Sequence, residues 1–65
     1  MKPHQQRVID EKTELDERAK KLSEFIGTNP LFETLDPNEK ERMRVQNDLM
    51  RQLSEILGLR IAAFQ

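Results

Sequence analysis

The residues with the most chemical potential in this sequence are cations set among apolar neighbours. Arg42, Gln46 and Arg60 project into the apolar arc of one helix-forming segment, and Lys12 occupies a seam-type position in another. Polar residues in a seam lower stability but fix register or oligomeric state. One reading is structural: Arg42 and Arg60 snorkel to solvent from near a helix end, or pair with Glu11. The other is functional. Lys12, Arg42, Gln46 and Arg60 would line a pocket between subunits that takes an anion, and the arginine fork suits phosphate. Lys40, Arg44 and Arg51 form a second, outer stripe, but Glu41, Asp48 and Glu55 lie close along it. That pattern reads as a solvated face, with contact to an acidic partner as the alternative.

Catalytic chemistry finds little support. His4 is the only histidine. It falls in a first helical turn, without the orienting partner and pocket that a catalytic imidazole needs. Ser23 and Ser54 have no base at helical spacing, and the carboxylates are spread along charged faces. Gly27 and Gly58 are isolated, so there is no glycine loop to cradle a phosphate. Cysteine is absent, which removes disulfides, thiol nucleophiles and thiolate zinc sites. No metal or cofactor is expected, and the protein reads as a non-enzyme.

The elements that must position these residues are helices. The chain has 65 residues, 35% hydrophobic and 35% charged, with a net charge of −1. One domain fills it, residues 1–65. Pro3 suits a first helical position, and nothing breaks a helix from there to Ile26. Gly27 stands where a left-handed C-terminal cap belongs. Asn29 and Pro30 can start a single turn through Leu31–Leu35. Asp36, Pro37 and Glu39 form a strong helix start: a cap, a preset first residue and an acid to close a capping box. The spacing predicts helix one over about 3–26, a connection over 27–36 and helix two over about 37–64. No strand pattern is present.

On a helical projection of ~100° per residue, Val8, Leu15, Ala19, Leu22 and Ile26 form a stripe roughly 60° wide. The sevenfold spacing of Val8, Leu15 and Leu22 favours a coiled-coil-like seam. Glu14–Arg18, Asp16–Lys20 and Glu17–Lys21 place an acid four residues before a base, the better orientation for an intrahelical pair. Helix two differs. Val45, Leu49, Leu53, Ile56, Leu57, Ile61 and Phe64, with Met43 and Met50, span an arc of roughly 160°. Helix one cannot cover so wide an arc. Surplus apolar surface marks an interface, and Leu49, Leu53, Ile56, Leu57, Ile61 and Phe64 are expected to carry self-association. The alternative is that Phe25, Leu31 and Phe32 cover the surplus. The expected architecture is all-α: an antiparallel two-helix hairpin that self-associates into a helical bundle, at least a homodimer.

Several partner classes are excluded at this point. No apolar run approaches the ~20 residues of a membrane span, and the opening MKPHQQRVIDEK lacks the apolar stretch of a secretory leader. A cytoplasmic protein is expected. The near-zero charge argues against broad nucleic-acid binding and against an acidic mimic of DNA.

The segment MKPHQQRVIDEKTELDERAKKLSEFI, with NPLFETLDPNEKERMR, Gln46, Met50 and the closing Leu57–Phe64, resembles a family of very short proteins from tailed phages and prophages. That group is associated with the short phage inhibitor of the host RecBCD nuclease. Such proteins often carry an aromatic near Gln52–Ser54; this chain has none there, so no stacking role is assigned. The resemblance implies a small accessory protein that binds and blocks a host protein as a counter-defence factor, in the host cytoplasm. The alternatives are an oligomeric sponge for a small anionic signal such as a cyclic nucleotide, and a structural or assembly role.

Overall fold

A computed structural model describes all residues, 1–65. It is entirely helical: α1 covers Pro3–Thr28, α2 Pro30–Glu33 and α3 Pro37–Ala62. The two long helices lie antiparallel and form a rod of 47 × 15 × 14 Å.

The breaks follow from proline. Pro30 disfavours the helical region for the residue before it, and Asn29 is extended there, at φ −86° and ψ 122°. Asn29 serves both helices. Its N–H donates to the Phe25 carbonyl at 3.2 Å, closing α1. Its Oδ1 accepts from the Leu31 N–H at 2.9 Å, opening α2. Asp36 repeats the device before Pro37, accepting from the Asn38 N–H at 2.9 Å. Two expectations are corrected here. Gly27 is not a left-handed cap, since no residue has positive φ; the stop signal is Pro30, so α1 runs through Gly27 to Thr28. Glu39 does not close a capping box either, because Arg42 Nε donates to its carboxylate at 3.0 Å.

The narrow α1 stripe is the inward face: Val8 and Ala19 are buried, Leu15, Leu22 and Ile26 half-buried. The α3 arc is split in two. Met43, Met50, Leu57, Ile61 and Phe64 lie toward α1, and Leu57 is 1% exposed. Leu57 therefore belongs to the hairpin core and not to a self-association surface, and Ile61 and Phe64, half-buried, lean the same way. One helix projection gives the width of an apolar arc but not which part a neighbour takes.

The turn end is sealed by Phe32, 1% exposed. Phe25 meets it edge-on at 6.1 Å between ring centres, with the rings at 89°. Lys40 Nζ and the Arg44 guanidinium sit 5.7 and 5.2 Å from its ring centre, within cation–π reach. Leu31 stays exposed, so the connection covers one end of the rod only.

A polar rail runs between the long helices. Gln5 Nε2 donates to the Gln65 carbonyl at 3.3 Å, Ser54 donates to Asp16, and Ser23 bonds Asn47. The register is constant, with residue i of α1 beside residue 70 − i of the other strand of the hairpin.

Candidate functional site: the outward face of α3

Roughly a third of a turn from the Met50–Leu57 row on the helical projection, α3 turns Val45, Leu49, Leu53, Ile56 and Leu59 to solvent. They are 46%, 58%, 46%, 53% and 68% exposed. Single exposed apolar residues are ordinary, but five along one line form a continuous stripe. Its N-terminal half holds an open groove of about 460 Å³ with an apolar floor of Val45, Leu49, Met50 and Leu53 and polar edges of Glu41, Arg42 and Gln46. The volume suits a small ligand, yet the groove is shallow and needs another surface to close it.

The four polar residues singled out in the sequence do not converge within one chain. Arg42 and Gln46 share the groove. Arg42 is held at its edge by Glu39; Glu11 pairs with neither arginine. Arg60 follows Arg42 by 18 residues, ~27 Å along a helix at ~1.5 Å per residue, and is exposed without an ion pair. Lys12 lies on α1. Its stem crosses α3 at Gly58, where a Cβ would approach its Cε to 3.4 Å. Its Nζ donates to Asp16 at 2.7 Å.

Hydrogen bonds from Lys12 first and Ser54 second hold the Asp16 carboxyl below the ordinary aspartate value, against a smaller opposing effect of desolvation. Asp16 therefore turns from Lys20, and of the three expected acid–base pairs on α1 only Glu14–Arg18 forms, at 3.9 Å.

The rail is what sequence spacing within one helix could not reveal. Ser23 Oγ accepts from Asn47 Nδ2 at 2.9 Å and from Arg51 Nη2 at 2.7 Å. Ser54 has its acid, Asp16, across the hairpin. His4 stands 12 residues before Asp16, ~18 Å away along α1, so serine, acid and histidine do not assemble. No three His, Asp or Glu side chains gather as a metal-ligand group. No helix is long and apolar enough to cross a membrane.

Among curated proteins and among solved structures, nothing matches the chain. The family model described as Sequestin matches residues 2–63. That match takes in α1, α2, α3 and every residue of the groove, so the chain belongs to the Sequestin family.

Proposed function

We propose that this chain is a non-catalytic capture protein: copies associate through the outward face of α3, and the groove at Arg42 and Gln46 holds a small anionic ligand of the nucleotide class. One observation carries the reading. The groove joins an apolar floor, suited to a flat base or ring, to an arginine and an amide at its edge, and it is open on the side where a second copy would close it. The family name points the same way, toward sequestering. It moves ligand capture ahead of the blocking of a host protein, which the sequence alone favoured. Association through this face also sets Arg42 of one copy beside the same edge of the next. The resemblance to short phage proteins fits a factor that acts by stoichiometry in a host cytoplasm.

Calorimetric titration with a panel of cyclic and linear nucleotides tests this. Saturable heat with at least one nucleotide, lost in Arg42→Ala while the fold persists, is the expected result. No heat with any of them removes the ligand reading.

The exposed stripe itself favours a second reading, in which the same apolar face docks on a host protein and blocks it as a counter-defence device. Under that reading Arg42→Ala leaves nucleotide titrations flat in wild type and variant alike, and Leu49→Asp abolishes partner binding.

A further inference from the structure

The outward face of α3 carries a repeat of seven. Its middle line alternates through Arg42, Val45, Leu49, Gln52, Ile56 and Leu59, spaced three, four, three, four and three, with Arg42, Leu49 and Ile56 as a-type and Val45, Gln52 and Leu59 as d-type positions, which is the seam pattern of helices that pack side by side. The residue just before each a-type position is acidic: Glu41, Asp48 and Glu55. The residue just after each d-type position is neutral or basic: Gln46, Leu53 and Arg60. All six are exposed, and Asp48, Glu55 and Arg60 form no ion pair within the chain. One edge of the seam is thus purely acidic and the other is not.

That asymmetry chooses a direction. In an antiparallel pair, like edges face each other. Asp48 would meet Glu55 of the second copy, twice by symmetry, with no base to offset them. Like charges placed opposite each other disfavour an arrangement. In a parallel pair, the acidic edge of one helix faces the other edge of its neighbour, five residues further on. Glu55 then reaches Arg60 of the second copy, twice by symmetry, Glu41 reaches Gln46, and Asp48 lies beside Leu53. No like-charged edge pair remains.

Resting on the association proposed above, we infer that the second copy docks on this face with its α3 parallel, in register, and held in direction by Glu55 against Arg60 of the neighbouring copy. Parallel packing takes Val45 and Leu49 into the seam and leaves the Gln46, Met50 and Leu53 side of each groove open at the same end of the assembly, with Arg42 of each copy near the shared axis, an arginine pair that Glu39 and a bound anion offset.

Charge reversal separates the two directions by sign. The dissociation constant of the full chain is measured by sedimentation at low ionic strength for wild type, Glu55→Lys and the double variant Glu55→Lys/Arg60→Glu. Glu55 has no partner inside the hairpin, so helicity by circular dichroism should not change. Parallel packing predicts a several-fold weaker association for Glu55→Lys and recovery in the double variant. Tighter association of Glu55→Lys overturns the inference, because relief of the Asp48–Glu55 clash belongs to the antiparallel form; an unchanged constant overturns it too. As a second measurement, Leu59→Cys and Val45→Cys are oxidised separately in the otherwise cysteine-free chain. Each should link to itself. Linkage only in a mixture of Val45→Cys with Ile56→Cys gives the opposite direction and overturns the inference. A wild type that stays monomeric removes association itself. A wild type that associates but shows no nucleotide heat removes the ligand and leaves the direction standing.

Discussion

Ser23 and Asn47 clasp each other across the hairpin. The Asn47 amide donates to Ser23 Oγ at 2.9 Å, and Arg51 from the next turn donates to the same oxygen at 2.7 Å. This fixes how α1 and α3 slide past one another more sharply than the apolar stripe does, since leucine against leucine tolerates a shift of a turn and a hydrogen bond does not. Asn47→Ala should therefore lower stability by ~1 kcal/mol, the net worth of such a bond, as read from urea unfolding. A variant as stable as wild type would mean that the rail has no part in register.

Gly27→Ala should stabilise the protein by ~0.5–1 kcal/mol, because α1 passes through this position with helical backbone and a glycine inside a helix costs about that much relative to alanine. Nothing lies within 4 Å of the added Cβ. A drop in the thermal midpoint would contradict a helix running to Thr28.

Leu57 and Leu53 separate the two faces of α3. Leu57→Ala removes a side chain that is 1% exposed and should cost ~2–5 kcal/mol, a large share of what so small a domain has; circular dichroism should show loss of helix. Leu53→Asp alters a residue that is 46% exposed. It should keep the helix signal and lower the mass seen by light scattering. If Leu53→Asp unfolds the isolated chain, the outward face is part of the hairpin core after all.

Asp16 gives the protein an acid limit. A carboxyl whose folded pKa is depressed contributes stability above its unfolded pKa and loses it as the pH falls through the lower, folded value. Here the loss begins near the ordinary aspartate value of 3.8 and proceeds below it. The carboxyl is about half exposed, so solvent screens the effect. Asp16→Asn should flatten the stability profile below about pH 4 while leaving the neutral plateau slightly lower. A profile parallel to wild type would show that Lys12 and Ser54 do not hold the carboxylate.

Asp36→Ala should cost ~0.5–2 kcal/mol, the usual loss of an N-cap, although Glu39 gives no second bond there. A double change with Glu39→Ala should add only what the Glu39–Arg42 pair is worth on an exposed surface, ~0.2–0.5 kcal/mol.

Much of the fold was legible where the signal is local. Asn29–Pro30 and Asp36–Pro37 announce two helix starts by chemistry that needs no neighbour: a side-chain acceptor, then a residue with fixed φ. The α1 stripe of Val8, Leu15, Ala19, Leu22 and Ile26 was legible because a single partner helix takes it whole. Gly27 misled because glycine is permitted within a helix as well as beyond it, and Pro30 had the stronger claim. Leu57 misled because one arc serves two neighbours, and only the hairpin register tells which side faces α1. The candidate site was legible in part. Arg42 and Gln46 do border a common groove, but Lys12 is taken by Asp16 and Gly58, and Arg60 lies too far along the helix. The Ser23–Asn47–Arg51 cluster was out of reach, because its members are joined through space, 24 and 28 residues apart.

The constant register also orders the folding of the rod. Partners near the turn are close in sequence, whereas Gln5 and Gln65 are 60 residues apart, and the entropy of closing a loop grows with its length. The hairpin therefore behaves as a zipper with one fixed end. It closes from Phe32 and the two prolines outward, and it opens first where both termini emerge. Amide hydrogen exchange should slow steadily from that open tip toward the turn, and a tag on either terminus would hang from the tip farthest from Phe32.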